Sequence, residues 1–137
     1  MFKIERINNA KPKALPAEHR AGDLAELLPG YCAADSWSAD LSSGLFSLGD
    51  LALRYHGLPE DSGHGLLSLI QRYDPAAREN VTDILEEAAS AASRFCFSTF
   101  VNSGDSRRQP IICIGESFGH DSREGGRMCG IFLFPAV

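Results

Sequence analysis

Residues 109–135, QPIICIGESFGHDSREGGRMCGIFLFP, consist of two apolar segments around a charged, glycine-rich turn. Gln109 to Phe118 and Arg127 to Pro135 are rich in β-branched and aromatic side chains, which favours two strands joined as a hairpin. Within them, Ile111 to Ile114 and Met128 to Phe134 are apolar at almost every position, whereas a strand with one solvated face alternates between apolar and polar residues. We therefore expect an antiparallel sheet that is covered on both faces.

Between residue 31 and this hairpin, the sequence predicts three further strands and three helices. Arg94 to Asn102 predicts a strand of the same meander, connected to the hairpin by turn residues 103–106. Asp74-Pro75 is a typical helix start, and the amphipathic pattern after it ends near Ser93. The order of elements indicates an α+β domain with a five-stranded antiparallel sheet and helices on one face. The remaining predicted elements are strands at 31–41 and 45–48 and helices at 50–56 and 65–71.

The first thirty residues differ from the rest of the chain in charge. Residues 1–20 have a formal charge of +3, while the remaining residues have −8. We interpret Met1 to Leu15 as a loosely ordered basic arm and residues 17–28 as a short packing helix, ahead of a domain at 31–137. The second sheet face is expected to meet this helix, a second subunit or both, so that a homodimer is the expected assembly. The candidate interface residues are Leu24, Leu27, Leu28, Ile131 and Leu133.

Composition excludes several classes of function. The chain has 137 residues and a formal charge of −5, which argues against a nucleic-acid partner because such binding needs a basic surface. No apolar run approaches the roughly 20 residues of a membrane span. Met1 to Ala10 contain no apolar h-region, so we expect no signal peptide. The four cysteines and four histidines show no metal-binding spacing. We therefore expect a cytoplasmic protein with free thiols and no metal site.

Several short motifs occur in a family-specific order between about Ala33 and Pro135. Residues 37–44 read WSADLSSG, residues 53–59 read LRYHGLP, and residues 73–78 read YDPAAR. Together with the closing strand at 127–134, this order resembles a PAS domain of the bacterial signalling type. The match at 73–78 departs from the family pattern, since Ala77 stands where aspartate is usual.

The resemblance implies a sensory or protein-interaction domain in signal transduction, with no catalytic residue. Such a domain binds a small ligand, or pairs with itself or with a signalling partner such as a histidine kinase. The length leaves no room for an effector, so the output would come from another protein unless the chain is a fragment. The family's flavin signature is absent, and no histidine lies between Pro75 and Ala92, which argues against flavin and haem; an unidentified small molecule stays open. The candidate pocket residues are Leu53, Leu69, Ile84, Phe97, Thr99, Cys113 and Phe132.

One rival motif indicates a different function. Gly115 to Gly119 fits the G-x-S-x-G nucleophile elbow, which would make the protein a small serine hydrolase with Ser117 as nucleophile. An elbow turns directly into a helix, but the residues after Gly119 do not favour one, and too little chain follows to supply the acid and the histidine. Asp35 and Asp40 are likewise interpreted as solvated strand-end residues and not as an acid–base pair.

Overall fold

The computed structural model describes residues 4–5, 30–60, 63–103 and 107–136. Its strands are β1 (Ile4–Glu5), β2 (Cys32–Asp40), β3 (Leu45–Leu48), β4 (His64–Gly65), β5 (Ser93–Ser103), β6 (Arg107–Phe118) and β7 (Arg127–Pro135). Its helices are α1 (Asp50–His56), α2 (Leu66–Ile70) and α3 (Arg78–Ser90), with a 3-10 turn at Pro75–Ala77 before α3.

The strands form one antiparallel sheet in the order β1-β5-β6-β7-β2-β3-β4. Strands β5, β6 and β7 form the predicted meander, and β2 pairs with β7 from Cys32 opposite Pro135 to Asp40 opposite Arg127. The α+β architecture is thus confirmed. The predicted count of five strands was too low, because β1 and β4 add two-residue strands at the two edges. Two residues are too few to show the alternation that marks a strand in a sequence.

The helices form where the local signals predicted them. Helix α1 matches its predicted bounds, and α2 differs from its prediction by one residue at each end. The Asp74 side chain accepts a hydrogen bond from the backbone N–H of Ala76 at 3.3 Å, as expected of a helix cap before proline. Helix α3 ends at Ser90, slightly before the predicted end, and buries Val81, Leu85 and Ala88 against the sheet.

Alternation along the strands gives the sheet two unlike faces. The inner face packs against α1 and α3, and its aromatic residues are at most 6% exposed. On the outer face, Ile114 and Ile131 each keep 41% of their surface exposed, so this face remains partly open. The helix predicted at 17–28, with its three leucines, lies outside the described residues, as does the basic arm apart from Ile4–Glu5. The inner aromatic residues are Trp37, Phe46, Phe95, Phe97, Phe132 and Phe134.

Asp35 caps helix α1 from a neighbouring strand. The residue before α1 is Gly49, which has no side chain to accept a hydrogen bond from the first turn. The Asp35 carboxylate takes this role and accepts the N–H of Ala52 at 2.8 Å. A Cβ atom at residue 49 would overlap that carboxylate, so the missing side chain at Gly49 makes room for the cap. The interpretation of Asp35 as a solvated strand-end residue was wrong, because it lies in mid-strand on the inner face.

We expect Asp35→Ala to lower the free energy of unfolding by about 1–2 kcal/mol, the usual effect of removing a helix cap. Asp35→Asn keeps an acceptor oxygen and should lose less than half of that. Urea denaturation followed by far-UV circular dichroism measures both. Equal stability of Asp35→Ala and the wild type would show that the carboxylate does not stabilise α1.

Candidate functional site

The residues predicted to form a ligand pocket lie between the inner face of the sheet and the helices. All are buried except Ile84, which is partly buried. The structure brings four of them, Leu69, Phe97, Cys113 and Phe132, around one interior gap together with Trp37. This gap is too small for a water molecule. As far as the described residues show, the interior is filled by their side chains, and ligand binding there stays a prediction.

A polar pair that the sequence reasoning missed lies beside this gap. His56 is fully buried at the end of α1, and its Nδ1 lies 2.6 Å from the carbonyl oxygen of Ala52. A carbonyl oxygen only accepts, so Nδ1 carries the proton and Nε2 accepts the hydroxyl of Tyr73 at 3.0 Å. The imidazole also contacts the rings of Phe132 and Phe134, with centroid separations of 5.0 and 6.1 Å.

Burial keeps the titratable groups of this interior neutral. Desolvation lowers the pKa of His56 to about 4, and the charge of Arg72 acts in the same direction, while the hydrogen bond to Ala52 opposes them. Burial raises the pKa of Tyr73 well above its usual value, and it does the same for the Cys113 thiol. The hydrogen bonds of His56 therefore join α1 to Tyr73, and the neutral side chains of His56, Tyr73 and Cys113 carry no charge that would attract a ligand.

Three buried polar atoms lack a hydrogen-bond partner among the described residues. They are Oγ1 of Thr99, a predicted pocket residue, Nε1 of Trp37 and Nδ1 of His120. The Trp37 side chain lies beside Cys113 and lowers the pKa of its thiol, which partly offsets the effect of burial. An unpaired buried hydroxyl costs roughly 1–3 kcal/mol, so Thr99 is the position at which a polar ligand atom would be most stabilising.

The G-x-S-x-G segment has a structural role. Ser117 is buried; its Oγ donates to the carbonyl oxygen of Ala91 at 3.1 Å and accepts the N–H of Ser93 at the same distance. His120 donates from Nε2 to the carbonyl oxygen of Ala88 at 3.0 Å. Both side chains thereby satisfy carbonyl groups at the end of α3. Strand β6 continues to Phe118 and returns through a loop as β7, which is not the strand-to-helix turn of a nucleophile elbow.

A row of two glycines and two aromatic residues crosses the sheet. The register places Phe95 opposite Gly115, Gly115 opposite Gly130, and Gly130 opposite Trp37. The two rings meet over the glycines on the inner face with centroids 6.1 Å apart. A Cβ at residue 115 would lie 2.5 Å from the Trp37 ring and 2.6 Å from the Phe95 ring. The contact between these rings therefore requires glycine at this position.

On the opposite side, the same glycine pair forms the floor of a groove of about 370 Å³. We call it the glycine groove. Its walls are mainly apolar, and Arg94 and Glu116 lie at its rim with Nε and Oε2 3.6 Å apart. The predicted interface residue Ile131 lines it, while Leu133 is half-buried two residues further along β7. The other wall residues are Ile114 and Cys129.

Comparison with known proteins relates the fold to solved structures. No family model and no curated protein matches the sequence. The N-terminal domain of a diguanylate cyclase with PAS/PAC sensor from Marinobacter aquaeolei is 18% identical, with a TM-score of 0.64 over 75% of this chain and 94% of its own. The chain has a PAS-like fold. A domain described as part of a light and redox sensing histidine kinase from Haloarcula marismortui is 14% identical, with a TM-score of 0.62 over 83% of this chain and 98% of its own.

None of the helices described here is both long and apolar enough to cross a membrane. Within the same residues, no three His, Cys, Asp or Glu side chains are grouped closely enough to hold a metal ion.

Proposed function

We propose that this PAS-like domain is a sensory or protein-interaction module of a signalling system and that it acts by pairing through its outer sheet face. One observation carries the proposal. Of the six large apolar side chains that are exposed among the described residues, three lie on the outer face of β6 and β7, while the gap among the predicted pocket residues is too small for a water molecule. These three are Ile114, Phe118 and Ile131.

Burial of these side chains supplies a driving force for association. Removing apolar surface from water contributes about 25 cal/mol per Å², and a stable interface buries about 800 Å² per partner. Exposed apolar groups that are contiguous mark such interfaces. The solved neighbours belong to a diguanylate cyclase and a histidine kinase, which supports a signalling role. A second copy and a signalling enzyme of this kind are the proposed partners.

We expect the purified protein to be a dimer at roughly 1–100 µM, and Ile131→Glu to make it monomeric because a charge would be buried in the interface. Leu67→Glu is the matched control, since Leu67 is 69% exposed on α2, away from the outer face. Sedimentation equilibrium measures both variants. A monomeric wild type, or a dimer that survives Ile131→Glu, would contradict pairing through this face.

Ligand binding is the second candidate function, and the unpaired Thr99 hydroxyl favours it. A ligand would have to displace side chains around the closed gap and place an acceptor or donor against Oγ1 of Thr99. Native mass spectrometry of the same preparation tests this directly. A retained small molecule that is lost in Thr99→Val would favour a ligand sensor over a module that acts by pairing alone.

A further inference from the structure

We infer that the glycine groove of each copy receives Phe118 of a second copy, so that two identical insertions build a two-fold dimer. The inference rests on the proposed pairing through the outer face and specifies its geometry. Phe118 is the inserted side chain, and the Gly115–Gly130 pair is the surface that receives it.

The groove fits an aromatic side chain in shape and chemistry. Its floor is the backbone of the glycine pair, with Ile114 and Ile131 on one side and Cys129 on the other. A volume of about 370 Å³ has room for a phenyl ring. Its mainly apolar walls would bury such a ring without leaving a polar atom unpaired.

Phe118 is placed so that a two-fold axis can bring it over the partner's groove. It lies on the same face as Ile114 and Glu116, because alternate residues of a strand share a face, and 45% of its surface is exposed. Phe118 lies three positions after Gly115, a distance of about 10 Å along β6. A two-fold axis that lies between the two faces, perpendicular to β6 and midway between Gly115 and Phe118, would place each Phe118 over the other copy's glycine pair. Both insertions then form together, as an isologous interface requires.

Charge favours a second copy at this face over other faces of the molecule. Residues 21–137 have a formal charge of −8, so most contacts between two copies bring like charges together. Around the groove the charges balance, because Arg94 pairs with Glu116 in each copy. The two-fold axis passes close to this pair, so the dimer brings together two Arg94 and two Glu116 side chains whose charges sum to zero.

We expect Phe118→Ala to weaken dimerisation at least about tenfold, as truncation of a central aromatic anchor does. Ile114→Trp fills the receiving groove and should weaken it similarly. Tyr31→Ala is the control, since Tyr31 is 70% exposed outside the groove, and it should leave the dissociation constant unchanged. Sedimentation velocity measures the constants, and thermal unfolding confirms that each variant is folded.

Mixing the two variants provides the decisive measurement. A Phe118→Ala chain has an open groove and an Ile114→Trp chain has an intact Phe118, so their heterodimer contains one insertion while either homodimer contains none. We expect the mixture to associate more tightly than either variant alone. If the wild type is a dimer that Ile131→Glu disrupts, but Phe118→Ala dimerises normally or mixing gives no gain, the insertion is wrong while the pairing stands. A monomeric wild type would contradict both the insertion and the pairing.

Discussion

Gly130→Ala should lower the free energy of unfolding by at least about 3 kcal/mol and leave little folded protein at 37 °C. A Cβ at this position would overlap the carbonyl oxygen of Ile114 and come within 2.8 Å of the Cα of Gly115. Both are backbone atoms of the paired strand, so relief requires the central strands to separate. Gly115→Ala should cost less, because the atoms it would meet belong to the rings of Trp37 and Phe95, which can rotate.

Gly65→Ala is the matched control for Gly130→Ala. Gly65 also lies in a strand, but the nearest atom to an added Cβ is 4.0 Å away, and its backbone has an ordinary negative φ. Urea denaturation of the three variants under one set of conditions gives the comparison. If Gly130→Ala and Gly65→Ala are equally stable, the close approach of β6 and β7 does not limit the residue at position 130.

Acidification from about pH 7.5 to about pH 5 should lower the free energy of unfolding by about 2 kcal/mol through His56 alone. Its pKa is about 4 in the folded protein against an ordinary value of 6.5. Between these values the unfolded chain binds a proton that the folded chain does not. The contribution of neutral His56 is therefore complete above pH 6.5, is lost as the pH falls towards 4, and changes no further below that.

The measurement that isolates this group compares the wild type with His56→Asn. The asparagine amide can still donate to the carbonyl oxygen of Ala52 but has no proton to gain, so it should be less stable at neutral pH and less sensitive to acid. Urea midpoints between about pH 5 and about pH 7.5 give both slopes. Because other groups titrate in both proteins, the difference between the slopes is the test. Parallel slopes would show that His56 titrates normally in the folded state.

The parts of the fold that the sequence predicted depend on neighbouring residues. Helix α1 has its stop signal at Gly57 and Pro59, and the long strands are β-branched and aromatic runs between turn residues, so each is marked within its own segment. Because each of these elements was predicted from its own segment, their order along the chain was predicted as well. The two-residue strands have no such local mark, and β4 forms only because the loop before α2 passes beside Leu45 and Phe46.

The candidate sites were less predictable because they depend on distant residues. The glycine row joins residues of β5, β6, β7 and β2, and only the strand register brings them into line. His56 and Tyr73 are seventeen residues apart and belong to no shared periodicity. The cap on α1 was missed for the same reason, since Asp35 precedes Ala52 by seventeen residues. In contrast, Ile131 was predicted at an interface from its strand alone, because an apolar run with no polar alternation indicates a face that needs cover.

The hydrogen bonds of Ser117 have a mechanical consequence. Ser117 and Phe118 are consecutive residues of one strand, so they point to opposite sides of the sheet. Displacement of the Phe118 ring would therefore be transmitted through a single peptide unit to Ser117. Ser117 makes the two hydrogen bonds that hold the junction between α3 and β5. The end of β6 thus links an exposed side chain, Phe118, to a buried one, Ser117. A contact on the outer face that displaces Phe118 would therefore reach the end of α3 through Ser117.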